Sequence, residues 1–268
     1  MINDKESVKA QYTGAENLNT RISIHSKYSV NKQGFGNWIM SNYEIKDGDR
    51  ILELGCGTGI MWKDHQDMAD RASELILTDL SEGMLLETRR TLGERGHISY
   101  RTVDIQDIPF EDKSFDVVIA NMMLYHVPDL DRALSEVSRV LKRDGTFYCA
   151  TSGEKGIVEY VAGLISDYRA RGNIGGKREY KSSLSFTLQN GEKILLKHFS
   201  SAQRLDYPDG LKVTQIQDLI DYLYSLTDMT AIGEMDREEL GSILEQNKVD
   251  GILYVPKEYG MFVCEGIK

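Results

Sequence analysis

Three glycines placed directly after a short apolar segment constrain the fold of this chain more than any other feature. The apolar residues from Ile51 to Leu54 are typical of a strand, and Gly55, Gly57 and Gly59 follow before a helical stretch begins. Glycine permits tight turns and lets the backbone approach a ligand closely. By itself the turn indicates a nucleotide-like ligand only weakly, because an ordinary strand-to-helix connection can have the same composition.

Short apolar runs then alternate with helical stretches as far as residue 151. We predict five strands in this part of the chain, at Ile51–Leu54, Leu75–Asp79, Ile98–Val103, Phe115–Ala120 and Thr146–Ala150. Strands that alternate with helices indicate a parallel sheet covered on both faces. Further along, we predict late strands at Ala202–Tyr207 and Met261–Cys264.

Polar side chains stand where the predicted strands end. Asp79 closes the second strand, 20 residues after Gly59. A carboxylate at this point can accept hydrogen bonds from the ribose hydroxyls of an adenosine, and the alternative is that it caps a helix. The apolar Leu80 and Met84 follow it, and they either enclose an adenine or belong to the core.

Two further strand ends carry suitable groups. Asp104 and Ile105 follow the third strand, where a side-chain acceptor beside a backbone N–H can bind the edge of adenine. Asn121 ends the fourth strand. Ligands of open α/β sheets bind beyond the carboxyl ends of the strands. Suitable groups at four such strand ends are therefore better explained by a bound ligand than by chance.

Three segments together resemble a known family. Ile51–Gly59, Ile108–Val118 and Val140–Thr146 are similar to motifs of class I S-adenosylmethionine-dependent methyltransferases, closest to the ubiquinone/menaquinone-type small-molecule group. The resemblance covers residues 45–151. It implies an α/β fold, a Rossmann-like doubly wound seven-stranded sheet that is mostly parallel with an antiparallel last strand, plus a helical lid or insertion.

The resemblance also implies the cofactor, S-adenosylmethionine, and its product S-adenosylhomocysteine. The glycine backbone would meet the methionine portion, Asp79 the ribose, and the residues after the second and third strands the adenine. Asn121 would help to hold the methionine amine through its backbone carbonyl. The predicted cofactor-binding residues are Glu53, Gly55, Cys56, Gly57, Gly59, Asp79, Leu80, Met84, Asp104, Ile105 and Asn121.

The acceptor side is less well defined by the sequence. His126, just past the fourth strand, is the predicted base if the acceptor must lose a proton, because histidine titrates near neutral pH. The alternative is a loop histidine bonded to the backbone. We also predict that Tyr28 reaches the cofactor and that His25 or Arg21 meets the acceptor, unless this segment is simply a polar surface helix. Trp62 is expected to pack rather than to take part in chemistry.

Composition restricts the class of partner. The formal net charge of −10 opposes binding to phosphate backbones, so we expect no nucleic-acid partner. The three cysteines have no metal-site or disulfide spacing, and no metal is expected. No signal peptide or membrane span is recognisable, and a cytoplasmic location is therefore predicted. Oligomeric state is open.

Four regions are predicted along the chain. Residues 1–45 form an N-terminal helical lid segment, 46–151 the cofactor-binding core, 152–198 an insertion or cap, and 199–268 the C-terminal completion of the sheet. The insertion carries a group of basic residues that is either a solvated face or part of closure over a substrate, namely Arg169, Arg171, Lys177, Arg178 and Lys181.

The predicted function is transfer of a methyl group to a small-molecule O, N, S or C nucleophile. The alternatives are a methyltransferase that acts on protein or RNA, and a non-catalytic protein that binds S-adenosylmethionine. A dehydrogenase is disfavoured because its fingerprint is Gly-x-Gly-x-x-Gly, whereas the third glycine here comes one residue early.

Overall fold

A seven-stranded sheet with the strand order β3-β2-β1-β4-β5-β7-β6 forms the centre of the molecule. The structure, a computed structural model, describes residues 16–172, 184–226, 232 and 235–268. Its strands are β1 (Arg50–Leu54), β2 (Glu74–Asp79), β3 (Ile98–Thr102), β4 (Phe115–Asn121), β5 (Leu141–Ser152), β6 (Phe199–Val213) and β7 (Leu253–Ile267). Each predicted strand overlaps one of these seven.

Strands β1 to β5 pair in parallel, whereas β7 pairs antiparallel with both β5 and β6. The apolar runs of β1 and β4 lie at the centre of the sheet, where Leu52 is in register with Val118, and both residues are fully buried. Strands covered on both faces need such continuous apolar runs. The predicted fold class, including the antiparallel last strand, is confirmed.

Helices cover both faces of the sheet and one end of it. They are α1 (Glu16–Tyr28), α2 (Phe35–Ser41), α3 (Ile60–Lys63), α4 (Gln66–Ala69), α5 (Glu82–Leu92), α6 (Leu130–Val140), α7 (Ile157–Arg171), α8 (Gly191–Leu195), α9 (Ile216–Tyr224) and α10 (Arg237–Gln246). A short 3₁₀ turn spans Leu124–His126. Helix α6 shows why these segments fold locally: Asp129 caps its first turn by accepting a hydrogen bond from the Arg132 N–H, and one face is buried.

The paired strands β6 and β7 extend beyond the end of β5. Strand β5 ends at Ser152, opposite Tyr259, whereas β6 and β7 remain paired as far as Val213 and Leu253. Apolar residues of α1, α7, α9 and α10 pack with this extension in a separate core cluster. Because β5 is parallel to β4 and ends at Ser152, the extension stands over the carboxyl ends of the parallel strands, where ligands of such sheets bind.

The predicted insertion is therefore helical in its described part, because it contains α7 and α8. Arg171 is exposed at the end of α7. Lys177, Arg178 and Lys181 lie outside the described residues.

Candidate functional site

A cavity of about 850 Å³ opens at the carboxyl ends of β1, β2 and β4. Its floor consists of the strand ends and the glycine turn. Its opposite wall is built from α1, the start of α7, α9 and β7, and we call this the helical wall. Residues of the helical wall that line the cavity include Arg21, His25, Glu159, Tyr222 and Tyr259.

The glycine turn brings backbone to the cavity surface. Gly55 and Gly57 line it with φ angles of 75° and 58°, a region that side chains disfavour. The N–H groups of Gly55 and Cys56 both donate to the Thr78 carbonyl at 2.8 Å, which fixes the turn to β2. A Cβ atom on Gly55 would lie 3.0 Å from Cγ of Met123. The turn therefore depends on glycine for both its backbone angles and its close packing.

Gly59 has a different role from the one predicted. It does not line the cavity but caps α3, with a φ of 69°, and a Cβ there would lie 2.7 Å from Cγ2 of Thr88. The structure thus assigns Gly59 to packing between α3 and α5, and we correct its assignment as a cofactor contact. Cys56 does line the cavity, with its thiol 3.5 Å from the Thr88 hydroxyl.

Asp79 joins the glycine turn to the start of α5. Its Oδ2 accepts from the Gly57 N–H at 3.1 Å, and its Oδ1 accepts from the Ser81 N–H at 2.8 Å. The cap of α5 is Ser81, whose hydroxyl accepts from the Met84 N–H, so Asp79 is not the helix cap that was the alternative interpretation. Asp79, Leu80 and Met84 all line the cavity, and burial raises the pKa of the Asp79 carboxyl.

The residues that follow β3 lie at the same cavity. Asp104 and Ile105 both line it, and Ile105 is buried. The Asp104 Oδ1 accepts from the backbone N–H of Gln106 at 3.0 Å and from its side-chain amide at 3.2 Å. This places a carboxylate and the following backbone N–H together at the third strand end, as predicted from the sequence.

Glu53 carries the most perturbed carboxyl group of the cavity. It is 4% exposed and accepts a hydrogen bond of 2.6 Å from the indole N–H of Trp62. Burial raises its pKa to about 7, against the opposing effect of the Trp62 bond. Trp62 was expected only to pack, and it is indeed buried, but it also orients Glu53.

Asn121 lies between Glu53 and Tyr43, a residue that follows α2. Its side-chain amide donates to the hydroxyl of Tyr43 at 2.6 Å, while its Oδ1 is buried without a hydrogen-bond partner in the described part of the chain. A buried acceptor without a partner is costly, so this oxygen fits a ligand donor such as an ammonium group. The sequence offered no signal for Tyr43, which precedes β1.

His126 lines the cavity from the 3₁₀ turn and is buried beside Tyr125, with 4.5 Å between the ring centroids. Burial, together with the positive charge of Arg21, lowers its pKa to about 4. The expectation that His126 titrates near neutral pH is therefore wrong, because the ring is neutral in the resting protein.

Tyr28 is not at the cavity. Its hydroxyl donates to Oδ2 of Asp218 at 2.5 Å, which ties the end of α1 to α9, and it is not among the lining residues. Its predicted role as a catalytic residue is therefore not supported. His25 and Arg21, on another face of α1, do line the cavity, as the second part of that prediction proposed.

A buried ion pair anchors α1 to the sheet. The Lys257 ammonium contacts the Asp209 carboxylate and donates to the Ser29 hydroxyl at 3.1 Å. The side chains of Lys257 and Asp209 are only 1% and 0% exposed. The Asn31 N–H donates to the same Asp209 at 2.9 Å, so the residues that follow α1 are held against β6.

Among the described residues, no helix is long and apolar enough to cross a membrane, and no group of three or more metal-ligating side chains is present.

Comparison with known proteins agrees with this geometry. Residues 52–149 match the family model described as "Methyltransferase domain". A ubiquinone/menaquinone biosynthesis C-methyltransferase of Xylella fastidiosa is 34% identical over 40% of this chain and 44% of its own length. A demethylmenaquinone methyltransferase of Staphylococcus saprophyticus is 30% identical over 52% of this chain and 58% of its own. The chain thus spans about half the length of the curated relatives it matches.

Solved structures share the fold at low identity. The [4+2]-cyclase SpnF superposes with a TM-score of 0.59 at 15% identity, covering 98% of this chain and 97% of that one. An S-adenosylmethionine-dependent methyltransferase from Mesorhizobium loti gives a TM-score of 0.51 at 19% identity, covering 88% and 99%.

The motifs, the fold and the strand-end site define a class I methyltransferase domain that uses S-adenosylmethionine. Within that class, the relatives that this domain resembles include methyltransferases of ubiquinone and menaquinone biosynthesis.

Proposed function

We propose that this chain transfers the methyl group of S-adenosylmethionine to a small-molecule nucleophile. The observation that carries the proposal is the continuity of one cavity from the strand-end residues to the helical wall. Donor and acceptor can therefore occupy the same enclosed space, as in-line displacement requires.

The residues at the strand ends fit the cofactor. Gly57 leaves room for a ligand beside the backbone, Asp79 offers a carboxylate to the ribose, and Asn121 offers a buried acceptor without a partner in the described chain. Leu80 and Met84 provide apolar contact for a base, and Asp104 with the Ile105 N–H provides the hydrogen-bonding edge. These assignments form our proposal for the binding mode.

S-adenosylmethionine supplies a methyl group that is already activated on a sulfonium. What remains for the protein is to align the acceptor with that group and to exclude water, which is catalysis by proximity and orientation. Glu53, held by Trp62, would face the positive end of the cofactor and bind it in the ionised form. His126 stays a candidate to receive a proton from the acceptor, although its low pKa makes it a weak base.

The residues around the core would form the acceptor side. We infer that 1–45 and 152–198 act as lid and cap, because α1 and the first turn of α7 contribute to the helical wall. Neither region belongs to the part of the chain matched by the family model.

Calorimetric titration with S-adenosylhomocysteine and with NAD tests the cofactor. We expect binding of the first alone, and binding of NAD without S-adenosylhomocysteine would contradict the proposal. A transfer assay with methyl-labelled S-adenosylmethionine, run against small-molecule, protein and RNA fractions of an extract, tests the acceptor. Label in the small-molecule fraction is expected.

Label confined to protein or RNA would point to the macromolecular alternatives. Tight cofactor binding with no transfer to any fraction would favour a non-catalytic protein. The Asp79→Asn variant is the control for transfer that depends on this site.

A further inference from the structure

Arg21 brings a positive charge to the helical wall of the cavity. Its guanidinium donates one hydrogen bond, of 2.5 Å, to the carbonyl of Ser225, while its Nε is buried without a hydrogen-bond partner. No carboxylate of the described residues pairs with it. Arg21 is only partly exposed. An unpaired cation that is partly withdrawn from water loses solvation, so this group is suited to an anion that arrives from outside the chain.

The charge of Arg21 acts on the centre of the helical wall. It lowers the pKa of His126, which lies on the strand side of the cavity. It also opposes the rise in the pKa of Tyr222, which lies on α9. Arg21 therefore lies close to both residues, and all three line the cavity.

The histidines of the cavity are poor proton acceptors. Burial and the nearby Lys257 lower the pKa of His25 to about 3, and burial with Arg21 lowers that of His126 to about 4. A base this weak provides little driving force for the ionisation of a hydroxyl group before methyl transfer. A cation can, because it stabilises the ionised form of the acceptor and lowers its pKa.

We propose that Arg21 binds the methyl acceptor as an oxygen anion, a phenolate, enolate or carboxylate carried on an apolar body. This inference rests on the proposed function. The apolar body would pack on the neighbouring side chains of the wall, which include Ile22, Ile157, Val158, Leu184 and Leu226.

The step balances without a base. The acceptor loses its proton to solvent before it binds, and a lone pair of the anion forms the new bond to the methyl carbon. The sulfur–methyl bond breaks, and its electron pair stays on sulfur. One negative and one positive charge disappear together, which is favourable in an enclosed cavity of low polarity.

Other charged groups near the wall do not replace Arg21. Lys257 is already paired with Asp209 behind Tyr259 and does not line the cavity. Glu159 lines the cavity from α7, but it forms no ion pair with Arg21 among the described residues. Lys32 also lines the cavity, but it is exposed and follows α1 outside the helical wall. Arg21 is therefore the cation of the helical wall that lines the cavity.

The test compares the wild type with Arg21→Gln, Arg21→Lys and the control Lys27→Gln. Lys27 lies on the same helix and pairs with Asp218, and its side chain is 52% exposed, so the control removes an equal charge outside the cavity. Calorimetry with S-adenosylhomocysteine comes first. Each protein, saturated with S-adenosylhomocysteine, is then titrated with 4-nitrophenol below the pKa of the free phenol, and the phenolate absorbance is recorded.

We expect all four proteins to bind S-adenosylhomocysteine equally. The wild type and Lys27→Gln should bind the probe as the phenolate, and Arg21→Gln should bind it about 10- to 100-fold more weakly, the scale of a hydrogen bond to a charged group. Arg21→Lys should be intermediate, which separates loss of charge from a folding defect.

Three results would overturn the inference. The first is a wild type that fails to bind the probe or binds it as the neutral phenol, and the second is an Arg21→Gln variant that binds it as the wild type does. The third is a loss of S-adenosylhomocysteine affinity beyond tenfold in Arg21→Gln, which would assign the cation to the carboxylate of the cofactor. A wild type that does not bind S-adenosylhomocysteine at all would refute the proposed function itself.

Discussion

Replacing Asp79 by asparagine is the most direct test of the cofactor site. The carboxylate holds two backbone N–H groups, those of Gly57 and Ser81, and also faces the cavity. Asparagine keeps the size of the side chain and one acceptor oxygen, so the turn should persist. What it removes is the negative charge that strengthens hydrogen bonds to ribose hydroxyls.

The magnitude follows from the number of bonds. Hydrogen bonds to a charged group contribute about 1.5–3 kcal/mol each, against about 1 kcal/mol for neutral partners. Two ribose hydroxyls bound by the carboxylate, with one neutral bond kept by asparagine, give a loss of about 2–5 kcal/mol. That loss corresponds to a dissociation constant raised about 30- to 4,000-fold.

Isothermal titration with S-adenosylhomocysteine measures this change directly. Asp67→Asn is the matched control, because Asp67 is exposed on α4 and does not line the cavity. Thermal unfolding of both variants shows whether the fold is kept. A folded Asp79→Asn protein whose affinity stays within twofold of the wild type would refute the ribose role.

Three further substitutions test separate features. Burial raises the pKa of Glu53 from 4.5 to about 7. Between these pH values the folded protein keeps a proton that the unfolded chain has lost, so the stability of the folded state falls as the pH rises through this range. The melting temperature of Glu53→Gln should therefore rise relative to the wild type between pH 5 and pH 8, by the equivalent of about 3 kcal/mol, and a constant difference would contradict the shift. Gly59→Ala should lower the free energy of unfolding by about 2 kcal/mol in urea titrations, because alanine at φ 69° is strained and its methyl group meets α5. The control Gly96→Ala has nothing within 4 Å of the added methyl group and should change the free energy of unfolding little. Equal losses of stability in the two variants would contradict the packing role of Gly59. Tyr28→Phe should leave S-adenosylhomocysteine affinity unchanged, because the hydroxyl bonds to Asp218 outside the cavity; a loss of tenfold or more would return Tyr28 to the site.

The sheet and the cofactor side were predictable because they depend on local patterns. Apolar runs with the spacing of strands give the elements, and the strand-end positions of Asp79, Asp104 and Asn121 follow from parallel pairing. All three line the same cavity. The sequence pattern is sufficient here because each residue is placed by the strand that immediately precedes it.

The helical wall was less predictable because its residues meet through long-range packing. Tyr28 and His25 lie three positions apart on one helix, and only the docking of α1 determines which of them faces the cavity. Trp62 was recognised as a buried residue, but its hydrogen bond to Glu53 depends on how α3 packs against β1. Such contacts leave no periodic signal in the sequence.

The buried pair of Lys257 and Asp209 has a consequence for the helix that it anchors. The buried Lys257 ammonium also donates to the Ser29 hydroxyl, and losing a hydrogen bond to a charged group costs about 1.5–3 kcal/mol, which opposes an exchange of Ser29 with a neighbour. Sliding α1 by one residue would turn its side chains by about 100° and take Arg21 away from the cavity. Two residues far along the chain therefore fix the register of the first described helix and determine which of its faces lines the cavity.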